Sequence, residues 1–165
     1  MPRMLSDAKR KLAWVPSIQD PSAPSVATEL GGASSLDISC LVTAEGFTLG
    51  ASGEDSINDP ALCAEGNDSA PGRVNYEASM NFFRWTTEEE DKAWNTFTDK
   101  GLGGFLVQRI GQDYREPFAA GDELQVYEVI TGKPRPMANP GGYEKFALSF
   151  YVQSQGTDER AVAVA

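Results

Sequence analysis

The residues of this chain whose types could do chemistry are two acidic clusters, one Ser-x-x-Lys and two glycine-bearing turns, and no histidine accompanies any of them because the chain has none. That absence removes Ser-His-Asp and Cys-His catalysis together with His-x-x-x-His zinc sites, since imidazole is the usual base or ligand in each. The run Glu88-Glu89-Glu90-Asp91 could supply the paired acids of a hydrolase, which would then lose turnover when Glu89 or Glu90 became Gln. The same run sits between Thr87 and the apolar residues Ala93, Trp94 and Phe97, where the positive end of a helix dipole favours acids, and a helix start outweighs catalysis. Glu54, Asp55, Asn58 and Asp59 could approach a calcium ion, yet they lack the spacing and the glycine of a calcium loop.

Ser6-Asp7-Ala8-Lys9 matches the two fixed positions of a serine acyltransferase motif, without the Lys-Thr-Gly that should accompany it. In Gly101-Leu102-Gly103-Gly104 the third glycine of a dinucleotide loop is replaced by Leu106, and Gly132-Lys133 runs into Pro134 rather than into a phosphate loop. Trp85 and Trp94 could stack on bases or sugars, but their place beside the helix start suits a core. The chain therefore reads as a non-enzyme with no catalytic residue, no cofactor and no metal.

Charge is the next constraint. The net charge is -10, and from Leu12 to Gly72 nine acids occur without a single base, while residues 1–11 hold Arg3, Lys9, Arg10 and Lys11 against Asp7 alone. So few cations disfavour nucleic-acid binding by counterion release. The same field suits a wall past which a polyanion slides without sticking. Cys40 and Cys63 are too few for a disulfide framework, and cytosolic thiols are expected. Pro16 ends the apolar run Leu12-Ala13-Trp14-Val15, and no run approaches the ~18 apolar residues of a membrane span, so a soluble product without a membrane partner is expected.

Positioning these groups falls to strands. The 165 residues suffice for one domain, and 16 Gly with 10 Pro favour many turns. From Val74 to Phe82 every even residue is apolar and every odd one polar, the period of a strand with one buried and one wet face. Further strands are expected at residues 12–18, 36–42, 105–110, 124–131 and 143–153, with a long loop or loose hairpin at about 44–72 and one helix at about 87–100 closed by Gly101. The fold class is mainly β: an antiparallel β-sandwich or barrel with one short α-helix and extended terminal arms. The divisions expected are an N-terminal arm over residues 1–11, one domain over 12–155 and a C-terminal tail over 156–165. Long apolar strands such as Phe146 to Val152 must hide their edges, by closure into a barrel or by pairing with another copy. A monomeric barrel that binds a small ligand is the alternative, and it would show a cavity without self-association.

Several segments stand in a specific order: Trp14-Val15-Pro16-Ser17-Ile18 with Asp20-Pro21-Ser22-Ala23-Pro24, then Leu36-Asp37-Ile38-Ser39-Cys40, Gly46-Phe47 and Asp59-Pro60-Ala61-Leu62-Cys63. Pro71-Gly72-Arg73, the wet-dry strand, Gly104-Phe105-Leu106-Val107 and Pro117-Phe118-Ala119-Ala120-Gly121 leading to Val126-Tyr127 follow. Together they resemble the tail tube, or major tail, proteins of long-tailed phages infecting actinobacteria. The resemblance implies a β-sandwich with one helix that stacks as hexameric rings into a tube, a non-contractile siphovirus tail fitting best. It also implies tape measure, tail terminator and baseplate partners, genome DNA passing through the lumen without specific binding, and assembly in the host cytoplasm. Ring contacts are then expected from sheet edges, and stacking contacts from residues 44–72 and the arms. Glu77 and Glu128, on wet strand faces, are the candidate lumen-facing acids.

Overall fold

The computed structural model describes residues 1–138 and 141–165, so the expected turn cluster at 132–142 is described except at residues 139 and 140. Among the described residues eight strands are present: β1 (Arg10–Val15), β2 (Leu36–Asp37), β3 (Thr48–Ile57), β4 (Ala70–Phe83), β5 (Gly103–Ile110), β6 (Glu123–Thr131), β7 (Arg135–Pro136) and β8 (Lys145–Val162). They form one antiparallel sheet in the order β2-β1-β5-β6-β8-β4-β3, with β7 added to β8. The chain is mainly β, as its alternation and turn content require.

Residues between β2 and β3 close this sheet on itself. Ile38 N–H donates to Leu12 O of β1, and Val42 bridges Phe82 of β4, flanked by Thr43 N–H to Asn81 O and Phe83 N–H to Leu41 O. One short segment thus bonds β1 on one side and β4 on the other, and the result is a barrel. Its interior holds Trp14, Met80, Phe82, Leu106, Tyr127, Val129, Phe146, Leu148 and Phe150, joined from outside the strands by Phe97. Aromatic rings meet there edge-on, tilted and stacked, with Trp14 and Phe97 at 5.1 Å, Phe82 and Phe97 at 5.3 Å and the parallel pair Phe82 and Phe146 at 5.3 Å. Such pairs add about 0.5–1.5 kcal/mol each beyond their burial.

A second apolar layer lies on the outer face, where Ala13, Val15, Val107, Leu124, Val126 and Ala161 are covered by Ile18, Leu30, Phe118 and Ala163. This explains why β1 is buried on both faces, a pattern that alternation alone would not give. Gly104 is the close-approach point between β5 and β1, because a Cβ there would run into the Trp14 indole. Gly104→Val is therefore expected to cost ~1–3 kcal/mol through overpacking, read as a lower urea midpoint.

Three local expectations differ from the structure. The strand expected at 36–42 keeps only Leu36–Asp37, because Ser39 donates its N–H and hydroxyl to Asp37 Oδ1 (3.0 and 2.6 Å) and turns the chain. Of the long loop or loose hairpin expected at 44–72, the structure has the hairpin, β3 pairing with β4 around a tip at 58–69. The helix of 87–100 contracts to α1 (Lys92–Thr96), and Asp91 at its start makes no cap. Asp91 accepts instead from Arg84 Nε at 2.8 Å and Trp85 N–H at 3.3 Å, while Thr87 and Glu90 bond each other in the preceding turn. The tail expected at 156–165 is strand up to Val162, and Val164 bridges Ser25. Ala161 and Ala163 are buried, so the C-terminus docks on its own chain. Beside it Val26–Leu30 forms a π-helical turn that periodicity did not signal.

Candidate assembly surfaces

The residues weighed above for catalysis are not brought together. Glu88, Glu89 and Glu90 are exposed, as are Ser6, Glu54, Asp55, Asn58 and Asp59. Among the described residues no group of three or more acids and cysteines could hold a metal ion, and no helix is long and apolar enough to cross a membrane. Trp94 packs on the core, its ring 5.1 Å from Phe146 and capped by the Arg84 guanidinium at 4.1 Å, whereas Trp85 stays 42% exposed. The expectation of a core place for both tryptophans holds for Trp94 alone. Cys40 and Cys63 are free and exposed.

Glu77 and Glu128 share the outer face of the sheet. Ala78 pairs with Phe150 and Thr131 with the same Phe150, so Glu77, Tyr151 and Ile130 follow in the next row, and Glu128 lies opposite Gln153 two residues on. That places the two acids roughly 12 Å apart by strand spacing and rise. Glu77 is exposed, while Glu128 is half-buried beneath a bulge of β8, where its side chain rests over Gly156. Neither carboxylate has an ion-pair partner among the described residues.

The distal half of the β3–β4 hairpin is the surface that most needs a partner. Every residue from 51 to 71 is exposed, including Ile57 at 53% and Leu62 at 105%, and Val74 beyond them is exposed at 46%. A two-stranded hairpin with nothing against either face is marginal in water. The outer edge of β3 also leaves its alternate N–H and C=O groups open, a template for another strand. Between residues 51 and 75 there are five acids and only Arg73, so this projection is strongly negative.

A different cluster fixes the end of the barrel. Arg109, 1% exposed, donates to Pro117 O (2.9 Å), Asp113 O (3.1 Å), Glu116 O (2.7 Å) and Asp122 Oδ2 (3.0 Å), pinning residues 113–122, and its guanidinium lies over the Phe118 ring. Burial disfavours the Asp122 carboxylate, but the Ala119 N–H, Arg109 and Gln112 outweigh it and hold its pKa below the usual value. Lys11 donates to Asp37 at 2.8 Å, and with Ser39 it likewise overcomes burial to lower the Asp37 pKa. A depressed carboxylate stabilises the fold above its unfolded pKa, and that contribution is lost as pH falls through the lower folded value. Unfolding free energy should therefore drop steeply below about pH 4, and less steeply in Asp37→Asn, in urea titrations across pH 2–6.

These features, a closed barrel with a bare projecting hairpin, an open strand edge and no catalytic set, are those of a subunit completed by its neighbours. A family model described as phage tail tube protein matches residues 1–165. The chain belongs to the phage tail tube protein family. No curated protein matches it. As a tail tube protein it has a structural role in the virion tail and assembles into a tube with other tail components. The non-enzymatic character expected from its residues accords with that role.

The sequence pointed to residues 44–72 for contacts but missed Arg109 and its neighbour Gln108. The signal was a Gln-Arg pair inside the otherwise apolar run Phe105-Leu106-Val107-Gln108-Arg109-Ile110, since polar groups on a strand buried on both faces need partners.

Proposed function

We propose that the chain self-assembles into hexameric rings which stack into the tube of a long, non-contractile phage tail, the conduit for genome ejection into an actinobacterial host. The observation that carries this reading is the hairpin exposed on all sides, whose Ile57, Leu62 and Val74 gain burial only against another subunit. Sheet edges supply the contacts within a ring, and the hairpin with the N-terminal arm supplies those between rings. Rings form in the host cytoplasm on a tape measure protein, between a baseplate and a terminator. Sedimentation velocity over a concentration series tests this: large species that grow with concentration are expected, and a monomer at every concentration contradicts it.

Glu77 and Glu128 face the lumen in this reading, because a negative wall repels DNA and lets it slide. Phage carrying Glu77→Lys with Glu128→Lys are expected to build normal tubes yet deliver DNA poorly, scored as tail morphology against infectivity. Normal infectivity from such tails would remove both acids from the lumen.

A further inference from the structure

The barrel mouth beside the N-terminal arm holds a half-open cavity of about 570 Å³. Its apolar walls are Leu12, Val42 and Phe47, and Cys40 stands at its rim. Gln108, 1% exposed, lies between this cavity and a neighbouring cleft, with neither its amide oxygen nor its amide nitrogen bonded within the chain. A buried amide left so costs free energy that a peptide group, with one donor and one acceptor, would recover. Asp7 and Arg10 of the arm both line the opening, and Arg3, Lys9 and Lys11 give the arm its net positive charge.

The hairpin tip has the complementary features. Leu62 is fully exposed next to Cys63, in a tight turn closed by Ala64 N–H to Ala61 O at 2.9 Å. Asp59, Glu65 and Asp68 surround that turn. We propose that the hairpin tip of one subunit seats in this cavity of a second copy, with Leu62 against Leu12, Val42 and Phe47 and a tip peptide group against Gln108. The acids of the tip then meet the basic arm. This seat rests on the tube reading above and specifies which surface receives the hairpin.

Its consequence is that the chain's two cysteines, Cys63 of one copy and Cys40 of the next, become neighbours. The test is a short bis-maleimide applied to tubes assembled from an equal mixture of Cys40→Ser and Cys63→Ser chains, one of them isotope-labelled. The expected product is a covalent dimer joining Cys63 of one variant to Cys40 of the other, with no dimer from either variant alone. Leu62→Asp should raise the concentration needed for assembly at least about tenfold, since a buried leucine is worth that much, while leaving the monomer's circular dichroism unchanged. Tubes that give no Cys40–Cys63 dimer, or dimers from one variant alone, overturn the seat and leave the tube reading standing. Failure of the wild-type chain to form any tube overturns both.

Discussion

Joining Ala51 to Tyr76 through Asn-Gly, which deletes the bare part of the hairpin, should leave a folded monomer that no longer forms tubes. Ala51 and Tyr76 are ladder partners, so a two-residue turn bridges them without changing register. No residue of the barrel core lies within the deleted stretch. The monomer should therefore unfold within about 1 kcal/mol of the parent, as for other surface changes. Assembly loses the burial of Ile57, Leu62 and Val74, each worth roughly 1.5–3 kcal/mol when fully covered, so the threshold concentration should rise by ~100-fold or more. Light scattering during concentration reads this directly. Tubes at the parental threshold would show that the hairpin carries no contact.

Arg109→Leu is the substitution expected to cost the fold most. The guanidinium answers three carbonyls and the Asp122 carboxylate from a position with almost no access to water. Removing it strands a largely covered anion and unpins residues 113–122, a loss of ~3–5 kcal/mol. In a domain of this size that lowers Tm by roughly 6–20 °C. Arg109→Lys should recover little, because an ammonium cannot span four acceptors held in the plane of a fork. Calorimetry of both variants beside Arg115→Leu, whose ion pair with Asp113 is long at 3.6 Å and exposed, separates the buried pair from a surface one.

The alternation from Val74 to Phe82 was readable because β4 has one face on the barrel interior and one in water, so a period of two survives in the residues. Leu12 to Val15 showed only an apolar run, since both faces of β1 are covered and burial erases the alternation. Asp37 and Ser39 hid a turn inside an apolar segment, because two short side-chain bonds decide the backbone locally while hydrophobicity does not change. The hairpin within 44–72 was legible only as one of two forms, a long loop or a loose hairpin. Between Ala51 and Tyr76 its strands pair with each other and with no core, so neither face leaves an apolar stripe to read.

The assembly surfaces divide in the same way. The acidity of residues 12–72 was visible at once, since charge needs no fold to be counted. Cys40 beside a cavity and Gln108 unpaired within it could not be read, because both depend on residues far apart in the chain meeting at the barrel mouth. The docked C-terminus shows the converse. Ala161 and Ala163 alternate with Val162 and Val164 in a short tail that looked free, yet the outer apolar layer of the barrel covers them.

Negative-stain electron microscopy of the purified chain across a concentration series tests self-assembly most directly. Rings with a central hole, stacking into tubes as concentration rises, are the predicted result. Compact particles of single-subunit size at every concentration would contradict it, and would direct attention to the cavity at the barrel mouth as a site for a small ligand.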